Sequence, residues 1–184
     1  MSRKVINVPF HDEESITSLK AGDRVSISGT IYTARDAAHK RMIELLEQGK
    51  ELPFDVRNQL IYYVGPTPAK PGEVIGSAGP TTSGRMDKYT PALLELGLKG
   101  MIGKGFRNRE VVEAIAKNNA VYFAAIGGSG ALLARTIKKV ELVAFEDLGT
   151  EAIRKMLVED FPAVVINDAH GNDWYEQARD SYNQ

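Results

Sequence analysis

Three turns in this sequence each pair a cation with small or hydroxyl residues. The first, Thr33-Ala34-Arg35-Asp36-Ala37-Ala38-His39, sets Arg35 at the start of a helical pattern and His39 about one turn inside it. The second, Gly79-Pro80-Thr81-Thr82-Ser83-Gly84-Arg85, places three hydroxyls beside main-chain N–H groups and ends on a guanidinium that matches a carboxylate bidentately. The third, Gly103-Lys104-Gly105, keeps an ammonium close to the backbone at a strand end. Together, Arg35, Arg85 and Lys104 form a candidate site for a small molecule with two negative ends, with Thr81 and His39 available for proton transfer. Each turn also has a plain reading: Asp36 as a helix cap with Arg35 on a surface carboxylate, residues 79–85 as a Ser/Thr-capped helix start, Lys104 as a solvated turn lysine. Gly127-Gly128-Ser129-Gly130 could bind an anion, but tight strand-to-helix packing accounts for it better.

Other chemistries are poorly served. The second turn lacks the Gly-Lys-Ser/Thr ending of a phosphate loop. No acidic pair stands at matching strand ends for glycosidase-type work, and no Gly-x-Ser-x-Gly elbow is followed by a triad. The Gly127–Gly130 run lacks the ribose-binding acid of a dinucleotide fold. The three histidines, His11, His39 and His170, show no metal-ligand spacing, and with no cysteine the chain can offer neither a thiol nucleophile nor thiolate ligands to a metal. A metal cofactor would have to be held by another chain.

Composition bounds the rest. With 184 residues the chain fits one domain with a real core, and 43% hydrophobic and 26% charged content are those of a globular protein. Basic and acidic residues nearly balance, 23 against 24, so no global field favours nucleic acid or an anionic membrane. No stretch reaches the ~20 apolar residues of a membrane helix, and the first residues lack the apolar core of a secretory signal. The expectation is a cytoplasmic protein.

The elements that must position these turns follow from periodicity. Residues 24–31 alternate as a strand, 36–50 read as a helix with Gly49 near its end, and 60–64 form a second strand closed by Gly65-Pro66. A Pro/Gly-rich hairpin-like stretch over 67–72 leads to an apolar run at 74–78. Residues 88–96 are helical in pattern and 100–102 a short strand. An amphipathic helix over 109–118 carries Val112 and Ile115 on one face. Residues 121–126 are a buried-type strand and 131–138 a helix. Strands are expected at 140–145 and 163–166, with a helix at 151–158 between them. Strand–helix alternation in the later half favours parallel pairing, while closer-spaced strands earlier make the sheet mixed. The expectation is one α/β domain over 1–184, with residues 1–20 an extension available to a partner.

Those same segments carry a resemblance. Gly29-Thr30-Ile31-Tyr32-Thr33-Ala34-Arg35-Asp36-Ala37-Ala38-His39-Lys40-Arg41 resembles the opening motif of the C-terminal domain of class I fumarases and of the beta subunit of L-tartrate dehydratase. Gly79-Pro80-Thr81-Thr82-Ser83-Gly84-Arg85-Met86-Asp87 is similar to their second motif, and Gly100-Met101-Ile102-Gly103-Lys104-Gly105 to their third. Residues 144–153 and 159–163 extend the match, which runs in order from about residue 24 to residue 172. The resemblance implies a swivelling β/β/α domain. It implies a partner alpha subunit, or a fused N-terminal domain, holding a 4Fe–4S cluster through three cysteines, and a family-level assembly of two alpha and two beta chains. The implied reaction is reversible hydration of fumarate to S-malate. Carried over by motif position, Arg35, Arg85 and Lys104 bind substrate, Thr81 is a candidate base, and His39 is catalytic with its proton role open. Tartrate or methylfumarate as substrate, and a non-catalytic dicarboxylate-binding module, remain the rival expectations.

Overall fold

The computed structural model describes residues 2–125 and 130–182. In chain order the elements are β1 (Lys4–Val8), α1 (Glu14–Thr17), β2 (Arg24–Thr33), α2 (Asp36–Glu47), β3 (Leu60–Tyr62), a 3-10 turn (Ser83–Met86), α3 (Thr90–Glu95) and β4 (Gly100–Gly103). There follow α4 (Arg109–Lys117), β5 (Val121–Ala125), α5 (Gly130–Ala134), β6 (Ile137–Ala144), a second 3-10 segment (Glu146–Glu151), β7 (Ile153–Asn167) and α6 (Trp174–Tyr182). Over the described residues the architecture is mixed α/β, a seven-stranded sheet flanked by helices.

Strands β1 to β5 pair side by side and parallel. The long β7 runs antiparallel and pairs with β5 near its end, with β2 along most of its length, and with β6 on its other flank. Because β7 touches both β5 and β2, the strands β2, β3, β4, β5 and β7 close into a ring. Strand alternation then sorts side chains to two cores. Ile27, Ile31, Leu60, Tyr62, Ile102, Phe123, Val158 and Phe161 belong to one. Ile61, Tyr63, Met101 and Tyr122 belong to the other, packed with Ala38 and Met42 of α2, Leu93 and Leu94 of α3, and Val111 and Ile115 of α4. Burial on both faces is why residues 60–64 read as an unbroken apolar run. Each such side chain contributes about 1.5–3 kcal/mol.

Several helices begin and end as their residues dictate. Gly49, at φ +69°, follows the end of α2. Asn108 caps α4, its side chain accepting the N–H of Val111 at 2.9 Å. That helix buries Val111 and Ile115, so the buried stripe includes Val111 in place of the expected Val112, which is half-buried.

The later half departs most from its pattern. Residues 151–158, expected as a helix, belong instead to the second 3-10 segment and β7, because β2 and β6 pair with the segment from either side. The helix expected at 131–138 stops at Ala134 and the chain enters β6 at Ile137. The parallel pairing expected there holds for β4 with β5, whereas β5 and β6 meet β7 antiparallel. Lys4–Val8 pair along β2 as a strand within residues 1–20. Ile126 and the Gly127-Gly128-Ser129 part of the glycine run lie outside the described residues.

Candidate functional site

The parallel strands set the site's location. Register pairs Thr33 with Tyr62, Tyr62 with Ile102 and Gly103 with Ala124, so the chain leaves β2, β3, β4 and β5 along one edge. Loops at the carboxyl ends of parallel strands are where α/β proteins hold ligands. Arg35 follows β2 and Lys104 follows β4 directly on this edge.

The second turn is stitched between the ends of β3 and β4. Thr81 N donates to the Tyr63 carbonyl at 2.7 Å, Lys104 N donates to the Thr81 carbonyl at 3.2 Å, and Ser83 N donates to the Lys104 carbonyl at 2.8 Å. Thr81 and Lys104 are thereby adjacent, Thr81 nearly buried and Lys104 exposed. The approach demands a glycine at position 103: a Cβ there would lie 1.9 Å from Ser83 Oγ and 2.9 Å from Tyr63 Cδ2. The Tyr122 hydroxyl lies 2.8 Å from both Ser83 Oγ and the Gly105 carbonyl, tying the second turn to the third. Burial raises the Tyr122 pKa, so the hydroxyl stays protonated.

Beneath these turns sits Arg107, whose side chain is fully buried. Its Nε donates to Asp87 Oδ1 at 2.7 Å, Nη2 to Thr90 Oγ1 at 2.8 Å and Nη1 to the Tyr63 hydroxyl at 3.2 Å. Asp87 Oδ2 accepts the N–H of Asn108 at 2.8 Å. Burial alone would drive the guanidinium's pKa down, but Tyr63 and Asp87 beside it outweigh that and hold it above its ordinary value. The buried charge is therefore paired and hydrogen-bonded, as a group so placed must be.

The two arginines of the candidate site meet on one carboxylate. Arg85 Nε donates to Asp36 Oδ1 at 2.8 Å, and Arg35 Nη2 lies 3.6 Å from Asp36 Oδ2. Asp36 is thus not the cap of α2. The helix's second N–H, that of Ala37, is taken by Glu151 Oε1 at 3.2 Å from the other end of the chain. Glu151 Oε1 also stands 4.0 Å from Arg35 Nε. Arg35 crosses Gly65, where a Cβ would lie 2.7 Å from its Nη1.

His39 lies below the surface, with no exposed area. Its Nδ1 is 2.8 Å from the Arg35 carbonyl oxygen, and among the described residues its Nε2 has no hydrogen-bond partner. The ring packs edge-on to Tyr63 and near-parallel to Tyr89, centroids 5.4 and 6.0 Å away. Burial pushes its pKa down to about 4, against the opposing pull of the Arg35 carbonyl, so it is neutral at physiological pH.

The structure therefore joins Arg35 to Arg85 through Asp36 and Thr81 to Lys104 through the backbone, with His39 buried behind Arg35. The edge is open: Arg85 has a 52% exposed side chain. Grooves of about 730, 530 and 360 Å³ are lined by other residues. Local pattern marks Asp36 only as a helix cap and gives Arg107 and Glu151 no role, since contact across tens of residues leaves no local signal. Among the described residues no three His, Asp or Glu gather as metal ligands, and the chain has no cysteine. These donors do not fit a resident metal cluster.

Known proteins show the same pattern of residues over almost all of the chain. Residues 2–178 match the family model described as the fumarase C-terminus. The anaerobic class I fumarate hydratase of Escherichia coli (strain K12) is 46% identical over 84% of this chain and 28% of its own length. The mitochondrial fumarate hydratase 1 of Leishmania major is 45% identical over 84% of this chain and 28% of its own length. The putative L(+)-tartrate dehydratase subunit beta of Methanocaldococcus jannaschii is 40% identical over 90% of this chain and 88% of its own. This chain thus spans under a third of the fumarate hydratases it matches, and nearly all of the tartrate dehydratase subunit. A match of this extent makes the chain a member of the fumarase C-terminus family.

Proposed function

We propose that this chain is the beta subunit of a cytoplasmic hydro-lyase that interconverts fumarate and S-malate, acting with an alpha subunit in an assembly of two alpha and two beta chains. The observation that carries the reading is the pairing of Arg35 and Arg85 on a single carboxylate, at the edge where Thr81 and Lys104 adjoin. Two guanidiniums held by one internal carboxylate, with Lys104 on the same strand-end edge, suit a second, external dianion. Relatives named as fumarate hydratases over the same residues support the choice of substrate.

In this reading the 4Fe–4S cluster belongs to the alpha subunit, and this chain supplies none of its ligands. The roles of its own residues follow from the reaction. The proton lost from malate lies alpha to a carboxylate, so charge builds on that carboxylate as the C–H bond breaks. Arg35, Arg85 and Lys104 bind the carboxylates and oppose that charge, an effect worth about 2.7–4 kcal/mol for one fixed donor. Thr81 faces the carbon-bound proton. A hydroxyl is a weak base in water, and the cations of Arg85 and Lys104 lower its effective pKa. His39, buried and neutral, acts on Arg35 by fixing its carbonyl and serves the substrate through that arginine.

The test is anaerobic co-purification of the chain with its alpha partner, followed by hydration assays on fumarate and on the tartrate couple. Turnover of fumarate supports the reading. Turnover of tartrate alone replaces it with the second reading, a tartrate dehydratase, which the near full-length match to that beta subunit favours. Tight dicarboxylate binding by a colourless chain that forms no complex reduces it to a non-catalytic binding module.

A further inference from the structure

Asp36 has no part in the chemistry above, yet it sits at its centre. Its segment is fastened from several sides: the Arg35 carbonyl accepts both the backbone N–H and the ring Nδ1 of His39, at 2.9 and 2.8 Å, and Ala37 N is held by Glu151. A carboxylate on so fixed a backbone is a rigid peg. Arg85, by contrast, is a long side chain, half exposed, leaving the short 3-10 turn. Left alone it would sample many rotamers, and a substrate would have to freeze them.

The peg touches Arg85 at one place. Its Oδ1 takes the Nε–H, and among the described residues neither Nη1 nor Nη2 of Arg85 has a hydrogen-bond partner. A guanidinium held by Nε has its Nε/Nη2 edge engaged but keeps its Nη1/Nη2 edge intact, and that remaining edge can still clasp a carboxylate by two parallel bonds. The other oxygen, Oδ2, is buried, has no hydrogen bond among the described residues and lies 3.6 Å from Arg35 Nη2. It sets the spacing between the two cations by attraction while leaving the Arg35 donors uncommitted.

We propose that Asp36 is the positioning residue of the dicarboxylate site. It orients Arg85, and steadies Arg35, so that both guanidiniums are preset for one substrate carboxylate each. The assignment rests on the dicarboxylate reading above and adds a residue that acts only through others.

The test compares wild type, Asp36→Asn and Asp36→Ala in the co-purified complex. Asparagine keeps an oxygen for Arg85 Nε, whereas alanine keeps nothing. The expected result is a KM for fumarate raised about tenfold in Asp36→Ala with a smaller fall in kcat, and most of that loss recovered in Asp36→Asn, since an Arg side chain freed of its anchor recovers rotamer entropy that the substrate must then remove. Succinate affinity, measured by calorimetry on the same samples, should follow the same order. Equal succinate affinity in all three proteins, or tighter binding in Asp36→Ala, overturns the proposal, as does a wild type that binds no succinate. A wild type that binds succinate in the predicted order but turns over no dicarboxylate refutes the hydro-lyase reading and leaves the positioning role standing.

Discussion

His39 Nδ1 donates to the carbonyl oxygen of Arg35, one helical turn earlier, across 2.8 Å. That bond selects the tautomer and turns Nε2 into a buried lone pair without a donor. Protonating Nε2 would place a charge where nothing accepts its hydrogen, in a pocket walled by Tyr63 and Tyr89 and with the Arg107 guanidinium nearby.

The protein should therefore lose stability on mild acidification. The His39 pKa falls from 6.5 unfolded to about 4 folded, so between those values the unfolded chain binds the extra proton. The contribution is complete above pH 6.5 and declines by about 1.4 kcal/mol per unit as pH drops toward 4. Urea unfolding of wild type and His39→Gln at several pH values reads this directly. The gap between the two proteins should narrow toward acid, and a constant gap would contradict a buried neutral imidazole.

Arg107 should be the costliest single replacement outside the two cores. Arg107→Met leaves the Asp87 carboxylate without its buried partner, and breaking such a pair costs about 3–5 kcal/mol. A denaturation midpoint within error of wild type would mean that water replaces the guanidinium freely.

Gly65→Ala should separate function from stability. The new methyl group meets the far end of Arg35, 2.7 Å from Nη1 and 3.1 Å from Cδ, which is flexible and can swing away. Unfolding free energy should stay within about 1 kcal/mol, while dicarboxylate turnover by the complex falls. Unchanged kinetics would show that the position of Arg35 is unimportant.

Arg85→Ala should lower activity of the complex about 10²–10³-fold, the effect of removing one fixed charge-stabilising donor. Thermal unfolding and association with the partner should stay near wild type, since the side chain is half exposed and its anchor among the described residues, the ion pair with Asp36, is solvent-accessible. Loss of the folded state would reassign Arg85 to structure.

What the sequence could reveal was set by distance along the chain. Strand β2 and helices α2 and α4 are legible by the period of their own residues, and β3 by its unbroken apolar run, because those patterns lie within a few consecutive positions even though the partners that cover them do not. Residues 151–158 misled because helix formers there are captured by pairing with β2, more than a hundred positions upstream. Arg107 and Arg109 make the same point. Two residues apart, one is sealed beneath the turns while the other is 90% exposed and pairs with Glu113 along its helix. Nothing in their spacing distinguishes them. The motif residues are legible as types, but the Asp36 peg arises only once the 3-10 turn packs against α2, and the Glu151 cap only once β7 returns to β2.

The closed circuit of strands has a mechanical corollary. A strand in an open sheet can tilt or fray with its loop, whereas here β2, β3, β4, β5 and β7 each hold the next, and shifting one demands that bonds break around the whole hoop. Arg35, Thr81 and Lys104 ride on that hoop and must travel as a unit. Gripping and releasing a ligand then falls to displacement of the entire body against whatever faces it. Amide exchange along these strands should accordingly report one cooperative opening instead of several local ones.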